Sequence, residues 1–132
     1  MYFKTVFDRY RPIIQKQTRL SLSDERRLIR RAKKGDSRAQ NTLLLHLVGY
    51  FIYRIRTQLF SSILLEYGED ILQECLLWTP KKIQSYNLRY RNQQGIFQPV
   101  YLRSYIWKGI TGIILQYINQ QKTQRFDRPF PR

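Results

Sequence analysis

Between Ala39 and Leu59 the apolar residues Ala39, Leu43, Leu44, Leu47, Val48, Phe51, Ile52, Ile55 and Leu59 recur in the i, i+4, i+8 pattern. Such a stripe lies on one side of a helix of 3.6 residues per turn, and it would scatter to both faces of a strand. A second stripe, Leu102, Ile106, Ile110, Ile113, Ile114 and Tyr117, has the same period. Two long amphipathic segments in 132 residues predict one all-α domain, a compact bundle of about four helices.

The predicted boundaries follow from capping chemistry. Ser23 is a good N-cap for a first helix beginning at Asp24 and Glu25, whose charges suit its positive end, and Gly35 suits its C-terminus. Asp36 or Ser37 caps the second helix, and Ser61–Ser62 is a plausible break after it. Gly68 is expected to open a third helix over roughly Glu69–Tyr86, with Pro80 kinking or interrupting it. A polar loop over Asn87–Gln98 follows, and Pro99 fits the first turn of a fourth helix reaching about Gln120. The chain thus divides into an N-terminal segment 1–19, a helical domain 20–121 and a polar, flexible tail 122–132.

Charge narrows the function classes. The formal charge is +15, which points to a polyanionic partner, nucleic acid before an anionic membrane surface. Arg54, Arg56 and Lys108 interrupt the longest apolar runs, and none reaches the roughly 20 residues a membrane span requires. A single cysteine, Cys75, precludes an internal disulfide and suits a reducing cytosol. No Cys/His cluster, glycine-rich phosphate loop or nucleophile elbow is present, so neither a catalytic constellation, a metal site nor a cofactor is expected.

Four of the nine acidic residues, Glu66, Glu69, Asp70 and Glu74, fall within nine positions. Helical geometry puts Glu66, Asp70, Gln73 and Glu74 on one side, with Ile71, Leu72, Cys75 and Leu76 turned to the core. These acids either pair with the basic first helix or form a docking face for a basic partner. From Cys75 onward there are ten Lys/Arg and one acid, Asp127. There Tyr86, Tyr90 and Phe97 alternate with Arg89, Arg91 and Arg103. On the fourth helix Tyr101, Ser104, Tyr105, Lys108, Thr111 and Gly112 lie opposite the core stripe. Aromatic rings beside cations are how proteins hold unstacked bases, at roughly 1–3 kcal/mol per base. The bland reading of the tyrosines is half-buried packing.

The strings LSDERRLIRRAKKGDSRA from Leu22 to Ala39, EDILQECLL from Glu69 to Leu77 and YLRSYIWKGIT from Tyr101 to Thr111 resemble, in that order, the core domain of bacterial sigma factors. The resemblance covers roughly Leu20–Gln120. It implies the region-two fold of that family and a factor without catalysis of its own. It also implies that Asp70, Gln73 and Glu74 bind a coiled coil on the largest catalytic subunit of core RNA polymerase. Tyr101 and Tyr105 match aromatic positions that capture flipped bases of the minus-ten element and hold the non-template strand. Ser104 replaces an aromatic neighbour of Tyr105, and Arg103 lies between these positions. Tyr86 matches an aromatic of the flipped-base pocket. Lys108 and Thr111 match positions facing duplex promoter DNA. Flipping costs a few kcal/mol of unstacking, which stacking and phosphate contacts must offset. Cys75 stands where the family often has glycine, and Trp78 and Pro80 break a stretch usually small and aliphatic.

The chain leaves no room for the family's later helix-turn-helix domain, so a separate chain or domain is expected to read the upstream element. The resemblance also implies the bacterial cytoplasm as its place. Two other functions fit the same residues: a polymerase-binding regulator or decoy, and a helical nucleic-acid-binding module independent of polymerase.

Overall fold

A computed structural model describes residues 7–126, with side chains up to position 120. Among the described residues the fold is all-α. A 3₁₀ turn (Asp8–Tyr10) leads into α1 (Arg11–Lys16), followed by α2 (Leu22–Lys33), α3 (Ser37–Gln58), α4 (Ser61–Ser85) and α5 (Leu102–Phe126). The expectation for the end of the tail, 127–132, lies outside the described residues.

α3 is the centre of the bundle, packing against α1, α2, α4 and α5. Its stripe is buried from Ala39 to Ile55 save the half-buried Leu44, with Phe51 and Ile55 wholly enclosed, while Leu59 lies half-buried just past the helix end. α4 contributes Ile71, Leu72, Cys75 and Ile83, and α5 the single row Leu102, Ile106, Ile110 and Ile114, all at 1% exposure or less. Tertiary burial of these rows, rather than propensity, holds the helices in place.

The corner between α2 and α3 follows its local chemistry. Gly35 takes φ 97°, the left-handed conformation that favours glycine. The Asp36 carboxylate accepts from the backbone N–H groups of Arg38 (3.0 Å) and Ala39 (3.2 Å), capping α3. It also accepts from Arg31 Nε (3.0 Å) and Nη2 (2.7 Å). These bonds, the Ala39 N–H foremost and then Arg31, hold its pKa below the ordinary carboxylate value.

Four expectations are corrected. The cap of α2 is Ser21, whose hydroxyl accepts from the Asp24 N–H at 3.1 Å, and Ser23 lies inside the helix. Gly68 opens nothing: α4 starts at Ser61 and runs unbroken through Gly68, which is buried where the Leu64 and Phe7 side chains close over it. A Cβ at 68 would sit 3.1 Å from Leu64 Cδ1 and 3.2 Å from Phe7 Cζ. Pro80 does not interrupt α4, which continues to Ser85. Lastly, α5 begins at Leu102 rather than Pro99, and its backbone continues to Phe126 instead of stopping near Gln120.

The late start of α5 has a tertiary cause. Glu25, a buried carboxylate on α2, accepts from the Leu102 backbone N–H at 2.6 Å. A side chain 77 positions away thus caps the positive end of α5. At its other end α2 is clasped to α4. Lys33 Nζ donates to the carbonyls of Gln84 (2.6 Å) and Tyr86 (2.8 Å), and Gln84 Nε2 donates to Ala32 O (2.9 Å). α2 therefore braces the end of α4 against the start of α5, fixing both ends of the 87–101 connection. Within that connection a turn at Asn92–Gly95 folds Arg91 and Phe97 into an isolated antiparallel bridge.

Residues 7–19 are seated on the domain. Phe7 is 4% exposed in the core, and α1 lies against α3 with Ile14 over Gly49. Pro12 suits the first turn of α1, where its missing N–H leaves no helical bond unmade. No described helix is long and apolar enough to cross a membrane.

Candidate docking and nucleic-acid surfaces

The two groups of sequence-predicted residues occupy different surfaces. On α4, Asp70, Gln73 and Glu74 are all exposed, as is Glu66, while Ile71, Leu72 and Cys75 face inward. The alternative in which α2 neutralises this acid does not occur. Glu69 is the only member of the cluster with an ion pair among the described residues, and its partner is Arg9 of the N-terminal turn. Tyr10 also donates to Glu69. Burial, and then the hydrogen bond to Glu69, raises the Tyr10 pKa. Gln73 Nε2 donates to Tyr10 Oη at 3.2 Å, and Tyr117 Oη donates to Asp70 Oδ2 at 3.3 Å. The side chains of Glu66 and Glu74 make neither a hydrogen bond nor an ion pair among the described residues. Leu77, three residues beyond Glu74 and seven beyond Asp70, is 78% exposed at the C-terminal end of this face.

The second surface is the aromatic side of α5 and the end of α4. Tyr86 is buried, and its hydroxyl donates to Val100 O. Burial raises its pKa above the ordinary tyrosine value. The Tyr105 ring packs edge-on against it, with centroids 5.1 Å apart and planes at 78°. Tyr105 is itself exposed, its hydroxyl 3.0 Å from Ser85 Oγ. Tyr86 and Tyr105 thus come together, with Tyr105 as the outer member. Tyr101, just before α5, carries the Arg103 guanidinium 4.3 Å over its ring. Arg103 also lines a cavity of about 240 Å³ between α3 and the α1–α2 link, shared with Glu25 and His46. Ser104 and Lys108 are exposed and unencumbered along the same helix, whereas Thr111 is half-buried and accepts from Arg54.

Periodicity alone left three participants unassigned. Arg54, read as an interruption of an apolar run, is buried at the α3–α5 seam. Trp107 lies over it, half exposed. Arg26 of α2 reaches into the 87–101 connection, donating to Leu88 O at 2.6 Å and stacking 5.1 Å over Phe97. Among the described residues no group of three or more His, Cys, Asp or Glu side chains is placed to hold a metal ion. Chemically the arrangement offers an acidic helix face that ends in an exposed leucine and a cationic aromatic face. No family model, no curated protein and no solved structure matches this chain.

Proposed function

We propose that the protein is a sigma-like transcription initiation factor of the bacterial cytoplasm, without catalysis of its own. It docks on core RNA polymerase through Asp70, Gln73 and Glu74. It engages and melts minus-ten promoter DNA through Tyr86, Tyr101, Arg103, Ser104, Tyr105, Lys108 and Thr111. A separate chain or domain reads the upstream element. The observation that carries this reading is the separation of charge. On a chain of formal charge +15, an acidic row stands on the solvent side of α4, unclaimed by the basic α2 helix. A basic protein that keeps exposed acid offers it to a basic partner and not to DNA. The rings and cations of α5 lie on another surface, so both partners can be held together.

The test is co-purification of the full chain with core RNA polymerase, beside the variant Asp70→Ala/Gln73→Ala/Glu74→Ala. The variant is expected to fold and to lose the polymerase. Retention equal to wild type would remove the docking assignment. Tyr101→Ala/Tyr105→Ala is expected to keep the polymerase and lose permanganate-reactive thymines on promoter DNA. Persistent reactivity in that variant would remove the melting assignment.

A further inference from the structure

The buried guanidinium of Arg54 is the least expected group in the fold. It is 5% exposed and has no ion-pair partner among the described residues. Buried arginines are ordinarily paired with a carboxylate, because an unpaired charge is costly to take out of water. Here the donors meet only neutral oxygens: Tyr50 Oη at 2.9 Å, Trp107 O at 3.3 Å and Thr111 Oγ1. The charge is further accommodated by two rings, Trp107 with its centroid 4.7 Å away and Tyr50 at 5.7 Å. Dipoles and π faces support the cation but leave its charge unneutralised.

Trp107 is the other half of the arrangement. One side of the indole is occupied by the guanidinium, and 48% of the residue remains open to solvent. Its helical neighbours at i−4, i−3, i+3 and i+4 are Arg103, Ser104, Ile110 and Thr111, and no acid lies among them. An exposed indole floored by a cation, with no acid among its helical neighbours, suits a flat polyanionic ligand better than a basic or apolar protein surface.

We propose that Trp107, seated on Arg54 at the α3–α5 seam, is a stacking platform for an unpaired nucleobase of a single strand. The sigma resemblance assigns neither residue a role. The inference rests on the proposed strand-binding role of α5 but not on docking to polymerase, so it is tested on the chain alone. The full chain is titrated into fluorescein-labelled dT12, with rU12 and a dA12·dT12 duplex in parallel, and anisotropy is read. Trp107→Ala is expected to weaken single-strand binding roughly 5- to 100-fold, and Trp107→Phe to recover most of the loss. In a Trp78→Phe chain, the remaining indole fluorescence is expected to be quenched on saturation with dT12. A platform for base faces serves dT12 and rU12 alike, whereas a preference for one assigns the sugar a part in the same site. The Asp70/Gln73/Glu74 alanine variant is expected to bind dT12 as wild type does. If it lost polymerase yet kept this titration, docking alone would be affected. Unchanged dT12 affinity in folded Trp107→Ala, or equal loss of duplex binding, overturns the platform whatever the polymerase result.

Discussion

Cys75 and Glu25 show opposite uses of burial by single residues. The Cys75 thiol is wholly enclosed, and burial, reinforced by the Glu74 charge, pushes its pKa up to about 12. The native thiol at pH 8 is therefore expected to resist Ellman's reagent and to react within minutes once the chain is unfolded in guanidinium. Fast native labelling would mean that the α4 core face is open. Glu25 is buried as an acceptor, and desolvation raises its pKa despite the Leu102 N–H and the charge of Arg103. For a carboxylate raised above its unfolded value, the folded state binds the extra proton. Its contribution is therefore full below the unfolded pKa and is lost as pH rises through the folded one. Relative to Glu25→Gln, wild-type stability from urea melts is expected to fall as pH rises above the ordinary glutamate range. A flat or rising difference would contradict this ionisation.

At the scale of the helix, two glycines of α5 separate packing from propensity. A Cβ built at Gly109 would run into the six-membered ring of Trp78 on α4, whereas one at Gly112 would meet nothing within 4 Å. Gly109→Ala is expected to cost about 1–3 kcal/mol in urea denaturation, most of it relieved in a Trp78→Ala background. Gly112→Ala is expected to stabilise by about 0.5–1 kcal/mol, the ordinary gain in a helix interior. Equal effects at both positions would contradict the seating of Trp78 on Gly109. The same contrast explains what the sequence could disclose. The stripes of α3 and α5, the Gly35 turn and the Asp36 cap depend on neighbours within a turn or two, and they were legible. Gly68 was misread because its smallness serves Phe7, 61 positions earlier. The start of α5 was misplaced because its cap comes from Glu25. Arg54 looked like a break in a stripe because local spacing cannot tell a buried cation from an exposed one. The acidic row of the candidate site was legible as a helix face. The enclosure of Tyr86 behind Tyr105 was not, since it needs the crossing of α4 and α5.

For the molecule as a whole, the closure of the N-terminal turn onto α4 is a long-range tie tested by one substitution. Phe7 fills the space over Gly68, and Arg9 and Tyr10 engage Glu69 beside it. Phe7→Ala is expected to cost about 3–5 kcal/mol by urea denaturation, the usual figure for a buried phenylalanine. A cost below about 1 kcal/mol would place Phe7 outside the core. The brace formed by α2 has a different consequence. The eight residue steps from Glu25 to Lys33 span about 12 Å, from the first N–H of α5 to the carbonyls of Gln84 and Tyr86 at the end of α4. On the proposed reading, α4 is where the polymerase holds the factor and α5 is where the factor holds the strand. α2 is then a ruler laid beside the direct α4–α5 contact, and the place on the DNA where strands part, counted from the polymerase's own surface, is fixed in part by about two turns of one short helix.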